Sequence, residues 1–96
     1  MQQWVVHAWD STEPDALKHR LEVRPFHLEV ARKLKENGNF VLGGAMLDNE
    51  RRMIGSTMIV QFETIEERDR WISIEPYIQQ GVWQRWEIFP FKVADV

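Results

Sequence analysis

An α+β domain with the element order β-α-β-β-α-β is what this sequence predicts, and three observations predict it. Four segments are dense in β-branched and aromatic residues, as strands are. Two stretches carry apolar residues at helical spacing, one after the first of these segments and one before the last. The remaining connection, Asp48-Asn49-Glu50-Arg51-Arg52, is short and polar, which makes it a hairpin loop. That order is the split βαβ arrangement of ferredoxin-like folds.

The first strand, Trp4-Val5-Val6-His7-Ala8-Trp9, is mostly apolar on both alternating faces and reads as covered on both sides. Asp10 to Pro14 supplies turn and cap chemistry. Thr12 is the expected N-cap, with Asp15 three residues on, and Pro14 suits the first helical turn. A helix is expected from Pro14 to Asn37. Leu17, Leu21, Leu28 and Ala31 form its apolar arc, extended by Val30 and Leu34, while Lys18, Glu22, Glu29, Arg32, Lys33 and Glu36 lie largely outside. Pro25 falls inside this helix, where proline costs roughly 3 kcal/mol. It is expected to kink or interrupt the helix and turn Arg24 and His27 toward one cavity. Gly38 suits a left-handed C-terminal cap.

Phe40 to Leu47 is a second strand with two apolar faces, in which Gly43-Gly44 leaves room for close approach to the backbone. Ile54 to Phe62 is its hairpin partner. The second helix opens on Thr64 as N-cap, carries Glu66 and Glu67 in its first turn, and turns Trp71 and Ile72 inward. Glu75-Pro76-Tyr77 breaks it, one short turn follows through Gly81, and Trp83 to Phe91 is the last strand. Pro90 marks that strand as an edge or a bulge. Two helices cover only one face of a four-stranded sheet, yet the other face is apolar too. Monomers rarely leave such a patch open, so a second copy stacked sheet to sheet is expected, giving a homodimer.

Composition narrows the function. Ninety-six residues make one small domain. Five Trp and five Phe supply its core. No cysteine is present, so there is no disulfide framework, thiolate nucleophile or Cys-based zinc site, and a reducing cytoplasm is the expected location. No signal-peptide pattern and no membrane-spanning apolar run is visible. Twelve basic against 15 acidic residues give a net charge of −3, which weighs against nucleic acid as a partner.

The chemistry-bearing candidates are few. Among three histidines, His19 sits in a charged stretch and reads as solvated surface, and His7 reads as a hydrogen-bonded interface residue. His27 lies on the apolar arc, where an imidazole must be neutral or paired. It is read either as a satisfied structural histidine or as a functional one. Histidine spacing fits no metal motif, so no metal site is expected. A Ser56–His27–Glu75 triad is formally conceivable, but Ser56 starts a strand and is not on a nucleophile elbow. Arg24 is either an anion anchor, through its planar donor fork, or half of a surface ion pair.

Arg20-Leu21-x-Val23-Arg24-Pro25-x-His27-Leu28, then Gly44, Gly55-Ser56-Thr57, Pro76-Tyr77, Gly81-Val82 and Pro90-Phe91-Lys92 resemble the YciI-like (YCII-related) family. The match spans nearly the whole chain, and Arg-Pro-x-His is its most specific part. The resemblance implies a dimeric α+β barrel, similar to muconolactone isomerase, and a pocket with a histidine–aspartate pair proposed as catalytic. The histidine carries over to His27. The aspartate falls on Glu75, a departure that lengthens the side chain by one methylene. Gly44, Ser56 and Tyr77, in the matched segments, join Arg24 as expected substrate-binding positions. The best-attested member eliminates chloride from a chlorinated hydroxyhydroquinone. The function expected is thus cofactor-free acid–base chemistry on a small molecule by His27 and Glu75, with a non-catalytic ligand-binding or accessory domain as the alternative.

Overall fold

A computed structural model describes residues 1–96. Strand β1 (Gln2–Asp10) is followed by helix α1 (Ala16–Glu36), the hairpin β2 (Phe40–Leu47) and β3 (Met53–Phe62), helix α2 (Ile65–Ile74), a single helical turn α3 (Pro76–Gln79) and β4 (Trp83–Phe91). The strands form one antiparallel sheet of order β2-β3-β1-β4. The expected order of elements is therefore present, and Pro90 does lie in an edge strand. No helix is long and apolar enough to cross a membrane.

Alternation along β1 divides the sheet into two faces. Trp4, Val6, Ala8 and Asp10 point to the helices, and register places Val60, Met58 and Ser56 of β3 beside the first three. Val23, Leu34, Trp71 and Tyr77 close this core from the helix side. Phe62 joins Trp4 and Trp71, with ring centroids 6.4 and 6.1 Å away. Each such pair contributes about 0.5–1.5 kcal/mol beyond its area. The opposite face carries Val5, His7 and Trp9 beside Ile59 and Thr57 of β3 and Phe89 and Glu87 of β4. Leu42 and Phe89 on that face are 52% and 48% exposed.

Local chemistry accounts for most of the boundaries. Thr64 caps α2 by accepting from the Glu67 amide at 3.2 Å, and Gly38 adopts φ +77° just past α1. Two expectations fail. Thr12 does not cap α1, which starts at Ala16 with Asp15 at the N-cap and no side-chain cap bond. Pro25 does not interrupt α1, which runs unbroken for 21 residues. Its ring lies on the exposed side, so the Leu21 carbonyl left without its amide partner can turn to water.

The apolar arc of α1 is also displaced. Its buried residues are Arg20, Val23, His27 and Leu34, while Leu21 is 49% exposed. At Gly55, an added Cβ would sit 2.3 Å from the Ala8 carbonyl oxygen of the adjacent strand and 2.5 Å from Met46 Cε. Gly55→Ala is expected to cost about 1–3 kcal/mol or more through this backbone clash, read as a lower urea midpoint.

Candidate functional site

The site grows from one stripe of α1. Arg20, Val23, His27 and Leu34 follow one another at three, four and seven residues, so all four face the sheet. Glu75 reaches the same place from the other helix. A residue before proline is pushed out of helical geometry, and Glu75, ahead of Pro76, has φ −64° and ψ 117°. That break ends α2 and turns a carboxylate inward. Glu75 is completely buried, and the His27 Nδ1–H donates to its Oε1. Burial raises the Glu75 pKa above its ordinary value, and the hydrogen bond and charge of His27 oppose that rise. An ionised Glu75 only accepts, so it fixes the Nδ1–H tautomer and leaves Nε2 as the ring's acceptor.

Aromatic rings clamp the imidazole. Tyr77 stacks on His27 with centroids 4.0 Å apart and planes 11° from parallel, and Trp83 meets it edge-on at 6.2 Å. The Arg20 guanidinium lies 4.7 Å over the Tyr77 ring. Arg20 is itself buried. Its Nη1 donates to both carboxylate oxygens of Asp10 at 3.0 Å, and its Nη2 donates to Ser56 Oγ at 2.8 Å. Trp83 Nε1 donates to the same Ser56 oxygen at 3.2 Å. Burial raises the Asp10 pKa, opposed by the Arg20 hydrogen bond and charge. Burial also raises the Tyr77 pKa, so its hydroxyl stays protonated at neutral pH.

A cavity of about 90 Å³ lies between α1 and the β2–β3 hairpin. Arg24, His27, Gly44, Ser56 and Tyr77 all line it, so five of the six residues singled out in the sequence converge there. Glu75 stands behind His27. Arg24 is exposed and makes no ion pair or hydrogen bond, so the surface-pair alternative does not hold. The Ser56–His27–Glu75 triad does not form, because Ser56 serves Arg20 and Trp83 instead. A wider groove of about 780 Å³ sits at one end of the sheet, between Trp9, Glu13, Leu17, Arg52 and Arg85. It holds no histidine.

Arg20 and Asp10 were not singled out in the sequence. Arg20 precedes His27 by seven residues and so shares its face, which was the available signal. His19, expected at the solvated surface, places Nε2 2.6 Å from the Gln80 carbonyl oxygen and so ties α1 to the end of α3. His7 Nδ1 lies 3.1 Å from Thr57 Oγ1 on the open sheet face.

Comparison with known proteins follows the same outline. Residues 4–92 match the YCII-related domain family. Protein YciI of Escherichia coli O6:H1 is 34% identical over 95 residues, covering 93% of this chain and 95% of that protein. Among solved structures, 5-chloro-2-hydroxyhydroquinone dehydrochlorinase from Burkholderia phenoliruptrix AC1100, in complex with 2,5-dihydroxybenzoquinone, superposes with a TM-score of 0.80 at 21% identity, covering 96% of this chain and 95% of that one. An antibiotic biosynthesis monooxygenase superposes with a TM-score of 0.60 at 13% identity, covering 99% and 100%. These likenesses show a shared fold, the ferredoxin-like unit of dimeric α+β barrels. On a match over nearly its full length, the chain belongs to the YCII-related domain family.

Proposed function

We propose that this protein is a small cytoplasmic enzyme performing cofactor-free acid–base chemistry on a small molecule, with His27 as the base. The observation that carries this reading is the buried His27–Glu75 pair set against a cavity with an unpaired arginine at its mouth. His27 Nε2 takes a proton from a substrate carbon or oxygen acid. The electron pair stays on the substrate, and Glu75 stabilises the imidazolium that forms. Arg24 draws in an anionic group, since its charge has no internal partner. Glutamate in place of the family aspartate still meets the imidazole, which supports a working pair. The competing reading is a ligand-binding or accessory domain without turnover, favoured by how little of a substrate the cavity encloses.

The dehydrochlorinase neighbour, solved with 2,5-dihydroxybenzoquinone, suggests the probe. Ring-proton exchange of 2,5-dihydroxybenzoquinone in D₂O, followed by NMR, is expected to run at least about 10²-fold faster with the protein than without it. His27→Gln should return it to the buffer rate. Binding without exchange would favour the accessory reading.

We also propose that two copies pack through the open sheet face, because Val5, Leu42, Ile59 and Phe89 form a continuous apolar surface there. Light scattering at micromolar concentration is expected to give about twice the 11.5 kDa chain mass. A stable monomer would defeat this assembly.

A further inference from the structure

The hydrogen-bond inventory of the cavity says what kind of ligand group it holds. Ser56 Oγ accepts from Arg20 Nη2 and from Trp83 Nε1, and neither nitrogen can do anything but donate. Those two bonds occupy both lone pairs of the hydroxyl. The fourth tetrahedral position belongs to its hydrogen, which has no partner in the protein. Ser56 is 2% exposed and lines the cavity, so the one place this hydrogen can find an acceptor is the cavity itself.

Tyr77 and Arg20 also border the cavity, but the Tyr77 hydroxyl and Arg20 Nε have neither a hydrogen-bond partner nor accessible surface. Arg24 brings a guanidinium without a counter-charge, whereas the charge of Arg20 is taken by Asp10. Glu75 Oε2 is an unpartnered acceptor, but it lies behind His27 and does not line the cavity. Ser56 thus turns a donor, and Arg24 a cation, toward a space that His27 also lines. At about 90 Å³ the cavity is small, with room for one end of a molecule and Arg24 at its mouth.

We infer that the cavity is an oxyanion site in which the Ser56 hydroxyl donates to one oxygen of a small enol, phenol or carboxylic acid bound as its anion, with Arg24 supplying the counter-charge. This rests on the acid–base reading above and names the substrate class for it. Ser56 is here a hydrogen-bond donor held in direction by Arg20 and Trp83, not a nucleophile. When His27 removes the proton, the negative charge develops on the oxygen that this hydroxyl holds, which is where a fixed donor lowers a barrier.

4-Nitrophenol tests this directly, because the absorbance of its anion reports the ionisation state of the bound molecule. The protein is expected to bind the anion in preference to the neutral phenol, and to bind nitrobenzene, which lacks the phenolate oxygen, more weakly than the anion. Anion affinity should fall about tenfold in Ser56→Ala, the loss of one hydrogen bond to a charged group, while nitrobenzene binding stays unchanged. Ser56→Thr should restore the anion. Equal binding of anion and nitrobenzene, no binding of the anion, or an unchanged anion affinity in Ser56→Ala would each overturn the oxyanion site. The readout is binding and not turnover, so a loss of the exchange reaction with anion binding intact would count against the acid–base reading alone.

Discussion

Asp10→Ala is expected to cost the fold about 3–5 kcal/mol, a large part of the roughly 5–15 kcal/mol that stabilises a domain. The residue looks replaceable in the sequence, at the end of a strand and the start of a turn. In the folded protein it is the counter-charge of an arginine that is 3% exposed, with both carboxylate oxygens bonded to one guanidinium nitrogen. Removing it leaves the Arg20 charge in the core without a partner, which is the costly way to break a buried pair. Replacing both members is expected to be far milder. Asp10→Leu with Arg20→Met substitutes apolar contacts for the pair, and such exchanges are often neutral or stabilising. Urea unfolding of the wild type, the single variant and the double variant measures the difference. A double variant as unstable as Asp10→Ala would mean the network shapes the core in a way that packing cannot replace. If the double variant is stable, the ion pair is retained for what it does at the cavity wall, since Arg20→Met strips Ser56 of one of the two donors that direct its hydroxyl.

The elements were legible in the sequence because each carries its own local signal. Thr64, Gly38, Pro76 and the β-branched and aromatic runs of β1 and β3 act within a few residues of where they stand. His27 was placed on the buried side of α1 by periodicity, and its carboxylate partner was placed on Glu75 by family resemblance. What was not legible is the electrostatic floor of the site. Helical-wheel reasoning sends every arginine to the surface, and nothing near Arg20 in the chain marks it as an exception. Its burial becomes affordable only with Asp10, a neighbour supplied by β1 and invisible to any period along α1. The same bias put Leu21 on the inner arc. In the structure the charged Arg20 takes the inner position, and the leucine beside it in sequence rotates outward. Pro25 misled for a related reason. Its cost was reckoned for a helix interior in general, whereas on the solvent side water can take up the carbonyl that lacks its amide.

Glu75→Gln is expected to separate stability from activity. Burial holds the Glu75 pKa above its ordinary value near 4.5, with His27 opposing the rise. The folded protein thus binds this proton more tightly than the unfolded chain does. The stabilisation that follows is complete below about pH 4.5 and is lost as pH rises through the higher folded value. Glutamine carries no charge at any pH and escapes that loss. The melting temperature of the variant should therefore gain on that of the wild type as pH increases from about 4 toward 8. Activity should move the other way. The glutamine amide can donate to Nδ1, which selects the other tautomer and puts the proton on the nitrogen meant to act as base. Where an orienting carboxylate is replaced by an amide, rates fall by about 10²–10⁴-fold. The quinone exchange assay and thermal melts on the same two proteins check both halves. Parallel melting curves across this range would mean that Glu75 does not ionise on the expected terms. Exchange undiminished in Glu75→Gln would remove the carboxylate from the mechanism and leave His27 to act without it.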